Sequence, residues 1–190
     1  MASEPPFVVG VSGASGAPIA VKVLEALRHA KVPVALVASA SGLEVVREET
    51  GLDRAALAKY ARDVYADDDF RAPIASGSRP TRGMVVVPCS STTAARIALG
   101  LADSLLTRAA HVHLKERRRL VLVPRETPMP TVLLRHLADL SAQGAVVLVA
   151  SPAFYLKPRR VDDVVAYLAG KVLDHLQVPH TLYRGWGEEA

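Results

Sequence analysis

The sequence predicts one doubly wound α/β domain, a parallel sheet with helices on both faces, and three observations lead there. Short β-branched runs are apolar throughout rather than alternating, which marks strands buried on both sides. Longer amphipathic stretches of helical spacing separate them. Turns rich in glycine, hydroxyls or charge follow the runs, where such sheets place ligands.

The elements follow in order. Phe7-Val8-Val9-Gly10-Val11 reads as the first strand, then a Gly/Ser turn and a helix over 17–30. Val34-Ala35-Leu36-Val37-Ala38 is the second strand, with a helix over 42–50. Residues 63–83, rich in Asp, Pro, Gly and Ser, read as a long surface excursion. Met84-Val85-Val86-Val87-Pro88, Leu120-Val121-Leu122-Val123 and Ala145-Val146-Val147-Leu148-Val149 supply strands three to five. Helices are expected over 92–98, 105–115, 131–143 and 161–176. Residues 1–190 form one domain in this reading, with 179–190 a C-terminal tail ordered only by packing.

Composition narrows the function. Of 190 residues, 50% are hydrophobic and 22% charged, enough apolar material to oppose disorder. The longest apolar runs fall far short of the roughly 20 residues that span a bilayer. A single cysteine, Cys89, excludes an internal disulfide, and the first residues lack a signal-peptide pattern, so a cytoplasmic location is expected. The formal charge of +4 with only 5% aromatics favours a small anionic ligand over nucleic acid. The six histidines show no metal spacing, and no metal is expected.

The candidate residues follow the strands. Gly13-Ala14-Ser15-Gly16 with Pro18 suits either a phosphate at a helix N-terminus or simply a tight turn. It is not the dinucleotide fingerprint, and Ser39-Ala40-Ser41 stands after strand two where a ribose-binding acid would be. A mononucleotide fits better than NAD. Ser90, Ser91, Thr92 and Thr93 could cap a helix and could equally hold a phosphate or a polar ring edge. Cys89 has no histidine placed to activate it and reads as a small buried residue. Arg125-Glu126, bracketed by Pro124 and Pro128, offers either a phosphate clamp beside a carboxyl that can carry protons if burial raises it, or a structural ion pair. Tyr155, after strand five, can hydrogen-bond a leaving oxygen. Lys115-Glu116-Arg117-Arg118-Arg119 precedes strand four at the opposite sheet edge, where a solvated basic face is expected unless a second subunit uses Lys115.

Several stretches together resemble the bacterial flavin prenyltransferases of the UbiX type. They are Gly10-Val-Ser-Gly-Ala-Ser-Gly-Ala17, Ala75-Ser-Gly-Ser78, Val87-Pro-Cys-Ser90, Leu106-Thr-Arg-Ala-Ala110 and Leu114-Lys-Glu-Arg-Arg118. Leu120-Val-Leu-Val-Pro-Arg-Glu-Thr-Pro128, Gly144-Ala-Val146 and Pro152-Ala-Phe-Tyr155 continue them along the chain. The resemblance implies a flavodoxin-like enzyme, metal-independent, that joins the dimethylallyl group of dimethylallyl monophosphate to N5 and C6 of reduced FMN. Its product, prenylated FMN, would serve UbiD-type decarboxylases. It further implies a homododecamer built of trimers with shared sites, which would let Lys115 reach a ligand.

By matching motif, Gly13, Ala14, Ser15, Ser39, Ser90, Ser91, Thr92, Thr93 and Arg125 would hold FMN. Arg108, Lys115, Tyr155, Lys171 and Trp186 would hold the prenyl donor. Ser15, Glu49, Glu126, Lys115 and Tyr155 form the implied catalytic set. The chain departs from the family at Ala40, at His111, at Lys171 in place of arginine, and in its longer Arg184-Gly185-Trp186-Gly187. Two competing readings are a phosphopantothenoylcysteine-decarboxylase-like flavin enzyme and a non-catalytic FMN carrier. The first lacks its catalytic histidine and asparagine motif here. The second has no use for a second phosphate site.

Overall fold

A computed structural model describes residues 4–187; the tail's last three residues, 188–190, lie outside them, as do 1–3. Six parallel strands form one sheet in the order β3-β2-β1-β4-β5-β6. They are β1 (Phe7–Val11), β2 (Val34–Ala38), β3 (Asp63–Ala66), β4 (Gly83–Cys89), β5 (Leu120–Pro124) and β6 (Val146–Val147). The helices are α1 (Ala17–His29), α2 (Ala40–Thr50), α3 (Arg54–Ala58), α4 (Ser91–Ala98), α5 (Leu105–Lys115), α6 (Thr131–Ala142) and α7 (Val161–Leu176).

Every residue of β1, β4 and β5 is buried, as runs without alternation require. Alternate side chains feed two cores. Phe7, Val9 and Val11 pack with α1, α3 and α7, whereas Val8, Met84 and Val86 pack with α4, α5 and α6. The chain therefore changes sheet face between β1 and β4, the switch point beyond whose carboxyl ends open α/β sheets place ligands.

The expected excursion over 63–83 needs correction. Asp63–Ala66 is an edge strand paired with β2, and Ala72, Ile74 and Ala75 are buried beneath a short 3₁₀ turn. β6 is only two residues long, shorter than the apolar run suggested, although the Leu148 and Ala150 N–H groups still reach Leu122 O and Pro124 O of β5. α3 is an additional short helix, capped by the Asp53 side chain. α2 starts two residues earlier than expected, with Ser39 accepting from the Gly42 N–H at its N-cap. No described helix is long and apolar enough to cross a membrane.

Candidate functional site

The rim is built first by a staple. Ser12, buried after β1, donates its hydroxyl to Pro88 O at 2.9 Å and accepts the Ser90 N–H at 2.8 Å. Those bonds bring the turns after β1 and β4 together. The β2 turn closes in from the other side: a methyl group at Gly13 would lie 2.4 Å from Ser41 Oγ, so only glycine permits the approach. Ser41 and Ser39 hydroxyls are 3.3 Å apart. Sequence reasoning missed Ser12, which directly follows β1, and Ser41, in the first turn of α2.

Glu49, near the end of α2, reaches across to the start of α1. Its Oε2 accepts the N–H groups of Gly16 at 2.9 Å and Ala17 at 2.8 Å. Burial pulls its carboxyl upward, but the Ser15 side chain, those two N–H groups and the Arg125 charge hold it below the usual range. The anion position at this helix N-terminus is thus filled by the chain itself. Within the β1 turn the Ser15 side chain is exposed and Ala14 is buried, while the Gly16 and Ala17 N–H groups are already taken by Glu49.

Arg125 and Glu126 part company after β5 instead of pairing. Arg125 Nε donates to Ser15 O at 3.3 Å, tying the β5 turn to the β1 turn. Glu126 accepts from Ser91 Oγ at 2.9 Å and from the Thr127 N–H at 3.2 Å. The Ser91 hydroxyl first, then the Thr127 N–H and Arg125, hold the Glu126 carboxyl below its ordinary value. It is therefore ionised at neutral pH and not a burial-raised acid.

The four hydroxyls divide. Ser90 caps α4 by accepting the Thr93 N–H, and its hydroxyl bonds Thr93 Oγ1 at 2.9 Å. Ser91 serves Glu126, and Thr92 is exposed. Cys89 is buried, with its thiol pushed up to about 12 by desolvation, and is not a nucleophile.

The remaining candidates lie elsewhere on the chain. Tyr155 meets Trp186 edge to face, with ring centroids 4.9 Å apart. Lys171 is well along α7, paired with Asp174 at 3.0 Å, and is not brought to Tyr155 by any contact described for it. Arg108 donates to Ala75 O at 3.1 Å on α5. Lys115 lies two turns on, at the opposite sheet edge, paired with Glu116. The basic run is no simple solvated face: Arg118 donates to Gly77 O at 2.5 Å and to Arg79 O at 2.8 Å, and Arg119 donates to His175 O. That clasp holds the 75–79 segment along α5 between Arg108 and Lys115.

One rim therefore gathers the hydroxyls of Ser15, Ser39, Ser41 and Ser91, the Arg125 guanidinium and the Glu126 carboxylate, contributed by four turns. This donor set suits a phosphate and a polar aromatic ring edge. Among the described residues no cluster of three or more histidine, cysteine or carboxylate side chains could hold a metal.

Comparison with known proteins adds to this geometry. The Flavoprotein family matches residues 1–173. A flavin prenyltransferase UbiX of Thermoplasma acidophilum is 48% identical over 180 residues, covering 95% of this chain and 99% of the relative. The Deinococcus radiodurans enzyme of that name is 45% identical, covering 98% and 96%. Among solved structures, AnUbiX (PadA1) in complex with FMN and dimethylallyl pyrophosphate superposes with TM-score 0.95 at 38% identity, covering 99% of this chain and all of that one. A dodecameric FMN-dependent UbiX-like decarboxylase from Escherichia coli O157:H7 gives TM-score 0.94 at 41% identity, covering 96% and 100%.

Proposed function

The chain belongs to the UbiX flavin prenyltransferases, within the Flavoprotein family, and from that premise we propose how its own residues join a dimethylallyl group to N5 and C6 of reduced FMN. The enzyme is a transferase and FMN is its prenyl acceptor. The rim carries this reading. Hydroxyls and a guanidinium from four turns converge beside an ionised carboxylate, a donor set that fits FMN. Gly13, Ala14, Ser15, Ser39, the 90–93 run and Arg125 would hold it. When bound, reduced FMN supplies the nucleophilic nitrogen and ring carbon.

Breaking the allylic C–O bond of dimethylallyl monophosphate releases phosphate and leaves a five-carbon cation whose charge is shared between C1 and C3. Tyr155 and Lys171, with Arg108 and Lys115 of an adjoining protomer, would stabilise the departing phosphate. A single preorganised donor of this kind is worth about 100-fold in rate. Trp186 would cover the allyl group and exclude water. Glu126, held ionised, would take the N5 proton as the first bond forms, return it to the remaining alkene, and accept the proton lost from C6 as the second bond closes the ring. Glu49 is engaged by α1, so its role in this reading is to fix Ser15 and the β1 turn.

Assembly into dodecamers of trimers and supply of prenylated FMN to UbiD-type decarboxylases complete the proposal. A carrier that only delivers FMN would need no such donor site, and the phosphopantothenoylcysteine-decarboxylase alternative is not favoured by the full-length relatives. The test is anaerobic incubation with FMN, dithionite and dimethylallyl monophosphate. The flavin should gain the mass of one five-carbon unit, and an unchanged flavin mass refutes the proposal. Parallel incubation with the diphosphate settles which donor is used.

A further inference from the structure

Beyond Leu176, Gln177 takes a left-handed conformation at φ 58° and turns the chain back on itself. The following residues return along α7 and bring Trp186 to Tyr155. Asp174 anchors that return. Its Oδ2 accepts from Lys171 Nζ at 3.0 Å and from the Tyr183 hydroxyl, while its Oδ1 accepts from His180 Nε2 at 3.0 Å. His180 Nδ1 in turn accepts the Leu182 N–H at 3.2 Å, so one neutral tautomer satisfies both ring nitrogens.

Packing reinforces the polar cluster. The Tyr183 ring lies against Gly170, where a methyl group would sit 2.5 Å from a ring carbon. Tyr167 meets the same ring edge to face at 5.1 Å, and Lys171 Nζ lies 5.8 Å from its centroid. Three residues later stands Trp186, which is 81% exposed. Its place therefore depends on Tyr155 and on the anchorage just before it in the chain.

We propose that Asp174 is a positioning residue for the prenyl-donor pocket: it latches the tail to α7 so that Trp186 stands against Tyr155, and the same carboxylate orients Lys171. The proposal rests on the prenyl-transfer reading for its functional arm. Burial pulls the Asp174 carboxyl up, but hydrogen bonds from Tyr183, Lys171 and His180 outweigh that and keep it ionised. The FMN side is built from the turns after β1, β2, β4 and β5, which the latch does not touch. Releasing the tail must then weaken the donor and spare the flavin.

Trp186 is the only tryptophan among 190 residues, so fluorescence of the intact protein reads the tail directly. The variants are Asp174→Ala, Asp174→Asn and Gly170→Ala; the last blocks the ring's seat while favouring the helix itself. In Asp174→Ala and Gly170→Ala, Trp186 anisotropy should fall and acrylamide quenching rise. The KM for dimethylallyl monophosphate should rise about tenfold while that for FMN stays within about twofold. Asp174→Asn, which keeps an acceptor oxygen, should restore much of the anisotropy. Unchanged fluorescence in both disrupting variants overturns the latch. Equal rises in both KM values overturn the positioning role. Absence of prenyl transfer in the unmodified protein counts against the function proposed above, while the fluorescence outcome still decides the latch.

Discussion

Glu49 Oε2 sits 2.9 Å from the Gly16 N–H and 2.8 Å from the Ala17 N–H, so the carboxylate of one helix occupies the anion position at the start of another. An interaction of this kind is worth about 1 kcal/mol. Glu49→Gln should therefore lower the thermal midpoint by about 2–4 °C in a domain of this size. The folded carboxyl lies below its unfolded value, so its contribution is present above the unfolded value and lost as pH falls through the folded one. The gap between the two proteins should accordingly narrow in acid, which melting curves at several pH values will show.

Glu126 should behave as a proton acceptor and not as a flavin ligand. Glu126→Gln is expected to bind FMN within about twofold of the unmodified protein and to lose about 100-fold in product formation. Titration of FMN fluorescence and mass analysis of the flavin separate the two effects. A parallel loss in both measurements would assign Glu126 a structural role through Ser91.

Lys115 lies at the sheet edge away from the rim, so its part in the chemistry requires an adjoining protomer. Lys115→Ala and Glu126→Gln should each lose about 100-fold in activity alone. Mixed after dissociation and reassembled together, they should recover a fraction of the activity through sites that combine intact residues from two chains. Failure of the mixture to recover while each variant still assembles would remove Lys115 from the site.

His113 predicts an acid-labile fold. Its Nδ1 donates to Ala109 O at 2.7 Å and its Nε2 lies 2.9 Å from Thr81 Oγ1, in a site sealed from solvent. Burial, aided by Arg118 and opposed by the hydrogen bond to Ala109 O, pushes it down to about 4 from the ordinary 6.5. A depressed histidine means that the unfolded chain takes up the proton first. Stability is then complete above the ordinary value and falls between it and about 4, by roughly 3 kcal/mol. Denaturant midpoints measured across that window should slope less in His113→Gln than in the unmodified protein.

The central strands were legible because burial on both faces leaves only apolar residues in β1, β4 and β5. The edge strand β3 was not, since Asp63-Val-Tyr-Ala is half-buried throughout and carries no apolar run. Residues directly after strands, such as Ser91, Arg125 and Glu126, could be picked out by position alone. Their partners could not. Nothing local links Glu49 to Gly16 across 33 positions, nor Asp174 to the ring of Tyr183, because those contacts are made by helix packing and chain reversal. His113 did leave a trace: it falls on the buried stripe of α5 with Ala109, Ala110 and Val112.

The path of the tail has a practical corollary for handling the protein. Glu4 is held by Arg62 and Arg82 beside the starts of the strands, whereas Trp186 finishes beside the loop that follows β6. Five strand residues, about 17 Å, separate those two edges. A purification tag joined at the amino end would lie away from the rim, while the same tag joined at the carboxyl end would crowd Tyr155 and Trp186, where the donor pocket is proposed.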